Sequence, residues 1–159
     1  MINEIFVDGI FDKNMVKKFK QDLRSLIAND IKEIIVNINS YGGDGESMAI
    51  MNGFVYVVSK YKGFKFIAKI HHAESCALLF AVNMHERHVN SNSKGSIHLP
   101  VSKHEETKFL QTKHFVDIFV KQTHLCKEKI LNLNNDLLNA KTMCEYGIAT
   151  KLIEPQCCH

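Results

Sequence analysis

The spacing of apolar positions in this chain switches repeatedly between a period of two and a period near 3.6. Glu4-Ile5-Phe6-Val7 alternates as a strand and turns at Asp8-Gly9. Asp12 is placed to cap a helix in which Met15, Val16, Phe19, Leu23, Leu26 and Ile27 return on one face. Ile34-Ile35-Val36-Asn37-Ile38 is β-branched and nearly all apolar, which predicts an inner strand covered on both faces. It runs straight into Ser40-Tyr41-Gly42-Gly43. From 46 to about 61 the helical spacing returns, with Met48, Ile50, Met51, Phe54, Val55 and Val58 available for burial.

Phe64-Lys65-Phe66-Ile67-Ala68 predicts a third strand, after which the chain passes through His71 and His72 to Ser75. There Cys76-Ala77-Leu78-Leu79-Phe80-Ala81-Val82 reads as a buried helix, so the serine lies where a strand gives way to a helix. Two short strands are expected near 86–89 and 95–98. The longest helical pattern runs from 105 to about 131, carried by Phe109, Leu110, Phe115, Ile118, Phe119 and Leu125. Asn139 is a cap for a last short helix, Gly147 its left-handed stop, and 151–153 a final strand. Strand and helix alternate throughout, which predicts an α/β fold with mostly parallel pairing.

Composition narrows the functional classes. A chain of 159 residues, 45% of them apolar, is one domain by length and can bury a core without staples. The net charge is +3, and its lysines are scattered, with Lys13, Lys17, Lys18 and Lys20 on one helix; there is no basic stripe, so nucleic acid is not an expected partner. Five cysteines without a charged-then-apolar leader argue against a secreted disulfide framework and for the cytoplasm. The longest apolar run, from Cys76 to Val82, is far short of the roughly 20 residues of a bilayer span, so no membrane segment is expected. Two sets of soft or nitrogen ligands exist: His71 and His72 with His85-Glu86-Arg87-His88, and Cys157-Cys158-His159. Neither has the spacing of a zinc motif, so no metal and no cofactor is expected.

Three segments bear on chemistry: Ile38-Asn39-Ser40-Tyr41-Gly42-Gly43, then His72-Ala73-Glu74-Ser75-Cys76-Ala77, then Ser96-Ile97-His98-Leu99-Pro100. They supply a glycine turn, a serine opening a helix and a histidine at a strand end. Acyl transfer needs those three kinds of part, an anion-binding backbone, a nucleophile and a base. Each has a structural alternative: Ser75 as a helix cap, His98 as a satisfied core histidine, and the glycines as a turn with positive φ.

With those residues in hand, the chain resembles the Clp protease proteolytic subunit (ClpP) family of the ClpP/crotonase superfamily, from about residue 4 to 153. The glycine turn is similar to the family's Ile-Asn-Ser-Pro-Gly-Gly, Ala73-Glu74-Ser75-Cys76-Ala77 to its Ala-Ala-Ser-Met-Gly, Ile97-His98-Leu99-Pro100 to its Ile-His-Gln-Pro, and Glu145-Tyr146-Gly147-Ile148 to its Glu-Tyr-Gly-Leu. The resemblance implies a repeated β-β-α superhelix with a mostly parallel sheet, flanking helices and a helix protruding after His98. It divides the single domain into a head of about 1–100 and 136–155 and a shortened handle of about 101–135. It also implies a serine peptidase in which Ser75 is the nucleophile, His98 the general base, and the N–H groups of Gly43 and Cys76 the oxyanion hole. Peptide or unfolded polypeptide is then the substrate, a homo-oligomeric ring the assembly, and an AAA+ unfoldase the family's partner.

Four departures accompany the resemblance. Alignment on Glu145-Tyr146-Gly147 puts Asn135 at the family's orienting aspartate, with Asp136 one position later, so either is the candidate third member. Glu74 replaces a small residue beside the nucleophile, where a carboxylate pointing inward would oppose an oxyanion and one pointing outward would not. His71 stands at a family glycine. The family's N-terminal axial segment has no counterpart, and the stretch between His98 and Asn135 is shorter, which counts against the unfoldase and the usual double ring. The alternatives are a ClpP-like subunit or scaffold that has lost turnover, and a crotonase-type acyl-thioester enzyme.

Overall fold

Four parallel strands form the spine of the protein, whose structure is a computed structural model describing residues 2–154. Strand and helix alternate through β1 (Glu4–Asp8), α1 (Lys13–Ala28), β2 (Glu33–Ser40), α2 (Gly45–Lys62), β3 (Lys65–Glu74), α3 (Cys76–Val82) and β4 (Glu86–Ser96). There follow α4 (Glu105–Gln122), α5 (Lys127–Asn132), β5 (Leu137–Asn139), α6 (Ala140–Glu145) and β6 (Lys151–Leu152). The sheet order is β1-β2-β3-β4-β5, with β5 antiparallel to the second half of β4 and β6 parallel to its first half. The α/β class with a mostly parallel sheet is therefore as the sequence predicts.

Local chemistry sets the helix ends. The Asp12 carboxylate accepts the Met15 N–H at 2.8 Å and opens α1, whose Phe19, Leu23 and Leu26 are buried. Asp44 opens α2 by accepting the Ser47 N–H at 2.9 Å and the Ser47 hydroxyl at 2.6 Å, and these bonds hold its pKa below the usual carboxylate value. Phe11 and Phe19 both meet the Phe80 ring edge-on, which locks α1 and the turn before it onto α3. One buried cluster runs from Ile5 to Ala149 and takes in every helix.

The apolar pattern misleads in four places. Ile34, Val36 and Ile38 are fully buried, but the other face of β2 carries Asn37 bonded to Glu4, so complete cover exists on one side only. The two short strands expected after Met84 are one strand, β4, because its halves share an uninterrupted run while pairing with different outer partners. The long helix expected to reach 131 breaks after Gln122: the Thr123 hydroxyl donates to Phe119 O at 2.6 Å and accepts the Leu125 N–H at 3.2 Å, competing with the helical ladder. Along α4 the expected core positions Phe109 and Leu110 are 68% and 57% exposed, whereas Phe115, Val116 and Phe119 are buried. The three-residue β5 had no period to announce it. Among the described residues no helix is long and apolar enough to cross a membrane.

Candidate active site

The four parallel strands bring their C-terminal ends to one edge of the sheet, the place where open α/β sheets expose backbone and side chains to a ligand. β1 leads to Phe11, β2 to Gly42 and Gly43, β3 to Ser75, and β4 to His98. Gly43, with φ of 146°, is gripped by the Phe11 backbone, whose N–H donates to Gly42 O at 3.0 Å and whose O accepts the Asp44 N–H at 2.8 Å. A Cβ on Gly43 would lie 2.6 Å from Phe11 O and 2.7 Å from Phe11 N, so only glycine fits without backbone movement. Gly42 has φ of 101°, and a Cβ there would lie 3.0 Å from Ser75 Cβ, which measures how closely the turn approaches the serine.

Ser75 occupies the first boundary position of α3 with φ of 55° and ψ of −127°, a backbone conformation that a non-glycine residue adopts only at a cost. Its side chain makes no cap hydrogen bond, so capping does not explain the serine. The residue is held through its backbone: the N–H donates to Ser96 O at 3.0 Å, and its O accepts from Leu78 and Leu79 at 3.1 and 3.2 Å. A sharp strand-to-helix turn of this kind presents a side chain away from both elements. Ser75 and His98 line one cavity of about 1470 Å³ together with Gly43, Cys76, Leu99 and Phe115. No hydrogen bond joins the serine hydroxyl to the imidazole.

The next residue, Cys76, is buried and lines the same cavity. Burial is the main influence on Cys76 and pushes its pKa up to about 11, against the opposing pull of hydrogen bonds from the N–H groups of Gly43 and of Cys76 itself.

His98 lies two residues beyond β4. Its backbone is fixed from the segment before β5, where Asn135 N–H donates to Ile97 O at 2.8 Å and Asn134 Oδ1 accepts the Leu99 N–H at 2.9 Å. Asn135, with φ of 71°, and Asp136 are thus brought near, yet both are exposed and, among the described residues, neither side chain bonds the ring. The carboxylate that reaches it is Glu74: its Oε2 is 3.7 Å from His98 Nε2, and its Oε1 is 2.6 Å from His72 Nε2.

A bulge explains that direction. Ile38 pairs with Ile70, but Asn39 pairs with His72, so His71 is an extra residue in β3. On the other side Ile70 pairs with Val89 and His72 with Lys94, the slack in β4 being closed by Ser93, whose hydroxyl donates to Ile70 O and accepts the Asn90 N–H. One extra residue reverses which side chains face the core. Phe66, Ala68 and Ile70 are buried before the bulge and Ala73 after it, leaving His72 and Glu74 on the opposite face in the row of their partners Lys94 and Ser96. His98 continues that row.

Sequence reasoning noticed Arg87 only as part of a histidine cluster. The guanidinium is buried and, among the described residues, has no carboxylate partner, and burial lowers its pKa; it donates to Met84 O, Gln122 O, Gly147 O and Ile148 O at 2.8–3.3 Å. It thereby ties the ends of α4 and α6 to the start of β4. A charged residue in a strand between two histidines was its only signal. His85 Nδ1 accepts the Phe66 N–H at 3.1 Å and His88 Nε2 lies 2.7 Å from Glu86, so both are engaged in the sheet. Among the described residues no three ligands are grouped to hold a metal, and Cys157, Cys158 and His159 lie outside them.

Over residues 2–156 the sequence matches the Clp protease family. The chain belongs to the Clp protease family. Its fold is similar to that of a mutant ClpP1 from Listeria monocytogenes, with a TM-score of 0.85 over 97% of this chain and 92% of that one, at 16% identity. We found no curated protein with a significant match to the sequence. In this Clp protease family member the segments carrying the resemblance sit at strand ends or just past α6, where His124 N–H donates to Tyr146 O at 2.8 Å and the His124 ring packs on Gly147.

Proposed function

We propose that the protein is a ClpP-like serine peptidase of the cytoplasm that cleaves peptide or unfolded polypeptide. Ser75 Oγ attacks the scissile carbonyl, His98 takes its proton and passes it to the leaving amine, and water frees the acyl-enzyme. The N–H groups of Gly43 and Cys76 bind the tetrahedral oxyanion, with the positive end of α3 behind them. The observation that carries this reading is the strained φ of 55° at Ser75, on a side chain with no capping role, facing a cavity shared with His98. Asn135 or Asp136 would complete the site only by turning inward from the exposed positions they occupy. Exposed Phe109 and Leu110 on α4 support a homo-oligomeric ring packed through that helix.

The test is labelling of Ser75 by a fluorophosphonate or β-lactone together with hydrolysis of short fluorogenic peptides. Label mapped to Ser75, abolished in Ser75→Ala, is expected; no label at high probe concentration defeats the proposal. A catalytically silent ClpP-like subunit is the second reading, favoured by the exposure of Asn135 and Asp136. It predicts assembly without labelling.

A further inference from the structure

We propose that Glu74 is the positioning carboxylate of this site, orienting His98 and stabilising its imidazolium, a role for which the sequence offered only Asn135 and Asp136. The inference rests on the peptidase reading above. Three observations carry it. The bulge at His71 turns Glu74 off the core face and into the row that ends at His98. The carboxylate is only 16% exposed and its two oxygens face two imidazoles, at 2.6 Å for His72 and 3.7 Å for His98. Neither Asn135 nor Asp136 bonds the ring, and both are exposed.

The separation from His98 is within ion-pair reach but beyond a hydrogen bond. The His98 side chain is 40% exposed and free to close that gap once it is charged, as catalytic contacts commonly do when substrate binds. With Nε2 facing Glu74, Nδ1 is left as the nitrogen to receive the Ser75 proton once the two side chains meet. The carboxylate gains a charged partner at that moment, which favours keeping the proton on the ring until the amine leaves. His72 holds the other oxygen at 2.6 Å, which fixes the direction of the carboxylate.

Glu74→Gln preserves shape and removes charge. In the wild-type protein, Glu74→Gln and Glu74→Asp, the measurements are peptide kcat and KM, the rate of fluorophosphonate labelling at Ser75, and the ¹⁵N resonances of the His98 ring at fixed pH. We expect Glu74→Gln to lower kcat and the labelling rate by roughly 10- to 100-fold with KM nearly unchanged, less than the about four orders of magnitude lost when a fully bonded triad carboxylate is neutralised. The Nε2 resonance of His98 should move, and Glu74→Asp, which keeps the charge, should recover part of both effects. Unchanged kcat and unchanged Nε2 resonance in Glu74→Gln overturn the proposal, as does an Nε2 shift seen in Asn135→Ala but not in Glu74→Gln. If Ser75 is never labelled, the peptidase reading fails on its own, while the resonances still decide whether Glu74 and His98 are paired.

Discussion

Replacing Ser75 by glycine should make the protein more stable than the natural sequence, and replacing it by alanine should not. At φ of 55° and ψ of −127° a residue with a Cβ pays about 1–3 kcal/mol of backbone strain, which glycine relieves. Against this, glycine widens the unfolded ensemble, costing about 0.4–1 kcal/mol. The net expectation for Ser75→Gly is a gain of about 0.5–2 kcal/mol, or about 1–8 °C in Tm at the 2–4 °C per kcal/mol typical of a domain this size. Ser75→Ala retains the strain and loses a hydroxyl without a partner, so it should stay within about 0.5 kcal/mol of the parent. A capping serine predicts a different order, with alanine about 1 kcal/mol below serine and glycine a few tenths below it. Calorimetry and urea unfolding of the three proteins, with m-values compared, separate the two cases. A glycine variant no more stable than the parent would refute the claim that the turn holds stored strain.

Two further outcomes follow from the scaffold. Arg87→Met should strip donors from four carbonyls at once, three of them in buried contacts, and cost about 3–5 kcal/mol by analogy with the breaking of buried charged contacts, lowering Tm by about 6–20 °C in a thermal melt; Arg87→Lys, lacking the fork, should recover only part of it. Asp44→Ala should cost about 1 kcal/mol near neutral pH through loss of the α2 cap. Because Ser47 depresses the Asp44 pKa below 3.8, its contribution is complete above that pH and lost as pH falls through the lower folded value. The gap between parent and variant should therefore close in urea titrations taken well below pH 3.8.

The periodic segments were legible because burial there is settled locally: Phe19, Leu23 and Leu26 on α1, Asp12 and Asn139 as caps, and Gly147 as a left-handed stop all sit as the pattern implies. The glycine turn, Ser75 and His98 could be picked out because their chemistry is confined to a few adjacent residues. What stayed hidden depends on pairing across the sheet. Nothing in Ile70-His71-His72 announces an extra residue, since the bulge exists only relative to β2 and β4, and with it goes the direction of Glu74. Arg87 was hidden likewise, three of its four acceptors lying in two distant segments. The break at Thr123 escaped because apolar spacing continues through it to Leu125 while a single hydroxyl diverts the backbone.

The Phe11 backbone holds the glycine turn from both sides, so the aim of the Gly43 amide is decided well upstream of any reactive group. If Gly43 binds the oxyanion as proposed, the short stretch joining the first strand to the first helix is in effect the hidden half of the anion pocket. A lesion at the exposed Ile10, whose side chain lies beside Gly43, would then register as slowed chemistry in a protein that still folds, and a survey confined to Ser75 and His98 would look for its cause in the wrong place.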